Sequence, residues 1–272
     1  MAAINESATR RSVSFPIWRW VILLIAGVYF LLPLYAALRF AGVKAFGSVF
    51  TQAGFGAALW TSIQISAMTW IVSMLLMIPT TVYVHLRMPG LRRLLEGVTI
   101  LPIVIPPVVL IIGVLQVMPL ALRASAWLLA LEYVILAMPF AYRALDAGLR
   151  AIDVKTLTEA AGSLGSGWLS TMWRVILPNM RTAVISATIL IVALVLGEFT
   201  MASLDLKQTF PVWIVLFDQE NAQISVAASI FALFVTWVFL MLITVIATRQ
   251  SRRTGAAEVT LFTVAPRETI GN

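Results

Sequence analysis

Few side chains in this sequence can do chemistry, and their placement narrows what that chemistry is. There is no cysteine and a single histidine, His85. Thiolate nucleophiles, disulfides, thiolate metal centres and multi-histidine metal sites are therefore excluded. Two carboxylates, Glu132 and Glu198, sit inside long apolar runs. A charge in such a setting is costly and ordinarily faces a cavity or a partner. Glu198, with its neighbour Phe199, is thus a candidate gate, structural ion pair or contact to a passing solute. Glu132 is expected to pair with a nearby arginine and is given no other role. Gly162-Ser163-Leu164-Gly165-Ser166-Gly167 looks superficially like a phosphate cradle. No strand precedes it, no lysine stands at the required spacing, and no GxxxxGKS/T occurs in the chain. No catalytic residue, metal ligand or cofactor is assigned.

The elements that hold these residues are apolar. Of 272 residues, 61% are hydrophobic and 11% charged, with a mean hydropathy of +0.97. Soluble chains carry about a quarter charged residues. Apolar residues gather in six blocks, 17–38, 59–84, 98–118, 126–145, 183–204 and 227–247. A span needs about 20 largely apolar residues, and in lipid it must satisfy its own backbone, so these are helices. The expected fold is an all-α integral membrane protein with six transmembrane helices. Thr9-Arg10-Arg11-Ser12-Val13-Ser14-Phe15 loosely resembles a twin-arginine export signal, but the run that follows is too long for a signal core and is read as an uncleaved first span.

Orientation follows from basic residues. With the N-terminus inside, 15 of the 19 Lys and Arg face the cytoplasm, and Arg39, Lys44, Arg123 and Lys207 face outward. That bias places both termini in the cytoplasm. It also accounts for the net charge of +7 and the pI near 10.4, and no nucleic-acid partner is expected. Residues 1–16 and 249–272 read as cytoplasmic tails around a six-helix transmembrane domain, 17–248. Thr61, Ser62, Ser66, Thr69 and Ser73 suggest that the second block packs on other helices or lines a path. Leu101-Pro102-Ile103-Val104-Ile105-Pro106-Pro107 puts three prolines at the start of the third, where missing amides are tolerable beside protein or a cavity. Pro106 and Pro107 are therefore candidates for a bend near a solute path.

The loop 147–182 between the fourth and fifth blocks carries most information. Asp153 is a fitting N-cap for a helix over 154–164, and Gly165 stands where a left-handed residue ends one. Ser166 is expected to cap a second helix, 167–177, stopped by Pro178, with Trp168, Met172, Val175 and Ile176 as its apolar stripe. A capped helix–glycine–helix unit of this kind suits a protein partner.

Its residues resemble a known signature. Glu159-Ala160-Ala161, then Gly165, Val175, Leu177 and Pro178 at their spacings, resemble the cytoplasmic EAA motif of binding-protein-dependent ABC importer permeases, with Val175 for the family's Ile. The 101–107 stretch is similar to the third span of spermidine/putrescine-type permeases. Leu196-Gly197-Glu198-Phe199 is similar to a stretch shared by polyamine, sulfate, molybdate and iron permeases. The resemblance implies a type I ABC importer permease fold in a prokaryotic inner membrane, with 159–165 as a coupling helix. It implies three partners: a separate ATPase subunit dimer that holds Mg-ATP, a second permease chain or copy, and an extracytoplasmic solute-binding protein. A polyamine is the leading substrate, with ferric iron, thiamine, phosphonate or sulfate as alternatives. A secondary transporter would show internal repeats and charged spans, and an intramembrane enzyme would show paired catalytic groups; neither pattern is found.

Overall fold

The computed structural model describes residues 17–263. Within them every regular element is helical. The N-terminal tail, 1–16, and residues 264–272 lie outside the described range. The helices are α1 (Ile17–Val49), α2 (Phe55–Arg87), α3 (Arg92–Val104), α4 (Pro107–Val117), α5 (Leu120–Arg123), α6 (Ala126–Arg150), α7 (Val154–Ser163), α8 (Trp168–Thr171), α9 (Leu177–Asn179), α10 (Arg181–Gly197), α11 (Thr200–Leu204), α12 (Phe210–Asp218) and α13 (Ala222–Thr263). Helix α13 runs on past residue 249, where the sequence suggests a tail.

Four helices are long and apolar enough to cross a membrane unaided: α1, α2, α6 and the 222–245 part of α13. Two further candidates are bent pairs. The stretch 89–104 meets α4 at 94°, and 168–179 meets α10 at 79°. The third apolar block is therefore not one straight helix. Ile105 (ψ 123°) and Pro106 (ψ 132°) are both extended, because a residue that precedes proline is pushed out of the helical region. Each stands before a proline. Pro102, by contrast, stays inside α3.

The fifth block is also corrected. It breaks at Glu198 (ψ 125°), and a short α11 resumes at Thr200. A helix not expected from the sequence, α12, fills part of the connection before α13, with Phe210, Val212 and Trp213 buried.

The core has two parts. In the larger, α6 packs against both α2 and α10, around fully buried Ile65, Tyr133, Leu145, Leu149, Ile176 and Ile191. Gly148 on α6 permits the closest approach, since a Cβ there would overlap that of Ala183 on α10. The smaller joins α1, α2, α12 and α13 around Phe55, Phe210 and Trp213. Phe210 and Trp213 stack at 5.6 Å, and Phe55 meets both edge-on. Of the hydroxyls on α2, Ser62, Ser66, Thr69 and Ser73 are buried, and Thr69 donates to the Ala130 carbonyl of α6 at 3.2 Å. This is the packed face the sequence suggested. The most apolar part of α1, in contrast, has no residue buried by the other described residues. Such a surface suits hydrocarbon, where it has no water to exclude.

Candidate functional site

The loop after α6 is built as two caps around a turn. Asp153 Oδ1 accepts from the Thr156 amide at 3.2 Å, and Oδ2 accepts from the Thr156 hydroxyl at 2.6 Å. These bonds, the hydroxyl's first, hold the Asp153 carboxyl below its ordinary value of 3.8, because they favour the charged form. At the other end of α7, the Ser166 amide donates to Ala161 O and the Gly165 amide to Gly162 O, both at 2.9 Å. Gly165 has φ +77°. This is a Schellman turn, and its left-handed residue favours glycine. Val154 and Ala161 face the core, while Glu159, Ala160 and Gly165 are exposed. Lys155 reaches Glu159 only loosely, at 3.9 Å; an exposed pair of this kind contributes little. The carboxylate is left open to a partner.

The second half departs from expectation. Gly167, rather than Ser166, is the cap residue of α8; the Ser166 hydroxyl instead accepts from Thr171 Oγ1 at 3.2 Å. After α8 the chain widens into a π turn, Met172–Ile176, and continues through Pro178 to Asn179. Pro178 therefore does not stop the helix. It cannot donate one turn back, and the widened turn just before it absorbs the missing bond. Asn179 Nδ2 donates to Val175 O at 2.7 Å. Met172 and Ile176 are buried, Val175 and Leu177 half-buried, and Pro178 exposed. Trp168, expected on the packed stripe, is 42% exposed.

Beneath the loop, Asp146 is clamped between two arginines. Arg92 reaches Oδ1 through Nη2 at 2.6 Å, and Arg150 reaches Oδ2 at 2.7 Å. The clamp ties the start of α3 to the end of α6, which delivers the loop. No sequence signal marked it, since Arg92 and Asp146 lie far apart along the chain.

Glu198 lies at the break between α10 and α11. Its Oε2 accepts from Tyr133 OH of α6 at 2.7 Å. Its carboxylate also accepts from the amides of Met201, at 3.0 Å, and Ala202, at 3.4 Å. Glu198 is thus a cap for α11 and a tie to α6, and among the described residues it has no ion-pair partner. Among the same residues Glu132 has no arginine partner either: it is 2% exposed, and neither oxygen has a hydrogen bond. Asp205 Oδ2 and Thr209 Oγ1 are likewise buried without one.

Beyond the two breaks, α4 packs on α11. The segments that follow Pro106-Pro107 and Glu198-Phe199 are therefore brought together. Pro106 and Phe199 are exposed and Pro107 half-buried. None of these residues lines a cavity of about 480 Å³ between α2, α10, α12 and α13. Its polar wall is Ser62, Ser66, Trp70, Thr188 and Thr236, and no charged residue lines it. Trp70 donates to the Thr188 hydroxyl at 2.9 Å, and Ser62 Oγ accepts from the Phe210 amide at 2.7 Å.

Comparison with known families decides what such a bundle is. Residues 79–256 match the model for binding-protein-dependent transport system inner membrane components. The chain belongs to this family. As an inner membrane component it is a multi-pass permease subunit of an ABC importer, a transport subunit by the family's role. Among similar proteins is the molybdenum transport system permease protein ModB of Mycobacterium tuberculosis, 28% identical over 196 residues, which is 66% of this chain and 74% of that one. The protein of the same name from Escherichia coli K12 is 29% identical over 161 residues, 52% and 69% of the two chains. A probable molybdenum ABC transporter permease protein of Haloferax volcanii is 27% identical over 213 residues, 72% and 78%. The matched stretch takes in the loop, both broken helices and Glu198.

Proposed function

We propose that this inner membrane component carries a tetrahedral oxyanion of the molybdate class, received from an extracytoplasmic binding protein. Three relatives that transport molybdenum carry this reading. The polyamine alternative draws on the 101–107 and 196–199 stretches, with Glu198 as the carboxylate in the second of them. That carboxylate already accepts three hydrogen bonds from Tyr133, Met201 and Ala202, and no acid lines the cavity. Both observations weaken the cation reading, and the relatives alone carry the anion.

In the same reading, the two bent pairs each count as one span, giving six spans with both termini in the cytoplasm. The EAA-like residues Glu159, Ala160, Ala161, Gly165, Val175, Leu177 and Pro178 form the coupling element, whose 159–165 part docks on one subunit of an ATPase dimer that holds Mg-ATP. Exposed Glu159 on a doubly capped helix, anchored to α6 and α10, suits that task. A second permease chain completes the path. Pro106, Pro107, Glu198 and Phe199 stand along that path or at its gate, where packed helices break.

The test is ATP-driven uptake in vesicles that hold this chain with its ATPase, its second permease and its binding protein. Labelled molybdate should accumulate, and tungstate should compete. Accumulation of labelled spermidine without molybdate would overturn the substrate. Uptake that proceeds without ATP would overturn the role itself.

A further inference from the structure

One surface of the 147–182 loop is not used by the coupling role. After the Gly165 turn, Trp168, Leu169 and Trp173 are 42%, 69% and 60% exposed, while Met172 and Ile176 are buried. Leu169 and Trp173 are four residues apart and both on the exposed side. Arg174, next to them, is exposed. The segment 168–179 joins the apolar helix α10 through the single residue Met180, at 79°. If α10 runs along the membrane normal, the segment lies close to the membrane plane at the inner end of that helix.

We infer that the 168–179 segment is an interfacial anchor, with Leu169, Trp168 and Trp173 set into the cytoplasmic leaflet and Arg174 on anionic phospholipid headgroups. Tryptophan rings favour this boundary because one edge is polar and the body apolar. Short amphipathic helices of this composition sit about 5–10 Å deep, at the edge of the acyl region. Direct continuity with a membrane helix and the adjacent cation favour lipid over the ATPase as the cover of this face. The exposed tip at Leu164 and the Glu159 face of α7 precede the turn and are left to the ATPase. The anchor would hold α7 at a fixed depth, so that a push on it is passed to α10 rather than lost in tilting of the loop. This inference rests on the cytoplasmic placement of the loop proposed above.

The absence of native cysteine makes the test direct. Leu169→Cys and, separately, Leu164→Cys carry an environment-sensitive fluorophore in the full complex, reconstituted in phosphatidylcholine vesicles with and without phosphatidylglycerol. Spin-labelled lipids report depth. At position 169 the emission should be blue-shifted and lose most of its intensity to lipids labelled near the headgroup, and less to those labelled deep in the chain. At position 164 lipid should not quench. Trp173→Ala with Arg174→Gln should weaken the quenching at 169 and remove its dependence on phosphatidylglycerol. An unquenched probe at 169, or one shielded only when the ATPase is bound, overturns the anchor while ATP-driven uptake in the same vesicles leaves the coupling role standing. A membrane-impermeant reagent that reaches position 164 from the extracytoplasmic side would overturn the placement on which both depend.

Discussion

Glu198 and Glu132 are both acids in apolar helices, yet the structure treats them oppositely. Glu198 is satisfied three times over, and removing its partner should show. Tyr133→Phe is expected to cost about 1.5–3 kcal/mol, the range for a hydrogen bond to a charged group. Glu198→Ala should cost more, because it also frees the amides of Met201 and Ala202 at the start of α11. Thermal unfolding of the purified variants in detergent, combined as a double-mutant cycle, measures the coupling between the two side chains. Additive losses would show that the Tyr133–Glu198 bond contributes nothing. Glu132 has no hydrogen bond to lose. Replacing a buried, unpartnered polar group by an apolar one of similar volume is neutral or stabilising, so Glu132→Met should leave the unfolding midpoint unchanged or raise it. A large fall would reveal a partner supplied from outside the chain.

The informative element is α7 with its two caps. Glu159→Lys reverses the exposed charge without touching the buried side of the helix, so the protein should insert normally yet lose most ATP-driven uptake. Gly165→Pro acts through the backbone: it removes the amide that donates to Gly162 O and forces φ from +77° to about −65°. It should displace the loop and uncouple ATP hydrolysis from transport. Vesicle uptake and ATPase rates measured side by side check both, and near-normal uptake in both variants would remove the coupling role from this helix. The broken helices belong to the same scale. Their corners at Ile105–Pro106 and Glu198–Phe199 are fixed by local chemistry, the first by consecutive prolines and the second by a carboxylate that takes amides from the next turn.

For the whole molecule the decisive question is how many times it crosses. Counting each bent pair as one span gives six, with the 147–182 loop on the same side as both ends. Single cysteines placed at residues 44, 121, 164 and 207 should divide cleanly: those at 44, 121 and 207 should react with impermeant reagents from outside, and the one at 164 only after the membrane is opened. Reaction at 164 from outside would break both the six-span count and the coupling role.

The bundle of apolar helices and the caps of α7 were legible before any fold was known. They depend on composition and on contacts within a few residues. The Asp153 cap and the Gly165 turn were legible because each is settled by neighbours in the chain. Packing across helices settles that Glu198 ties α11 to Tyr133, that Asp146 is clamped by Arg92 and Arg150, and that Glu132 has no arginine among the described residues. It also turned the fifth apolar block into two helices and carried the loop's second helix through Pro178. Those outcomes turn on which side chains meet across helices distant in sequence. Hydrophobic periodicity carries no record of that, because in a membrane-sized apolar block nearly every face reads alike.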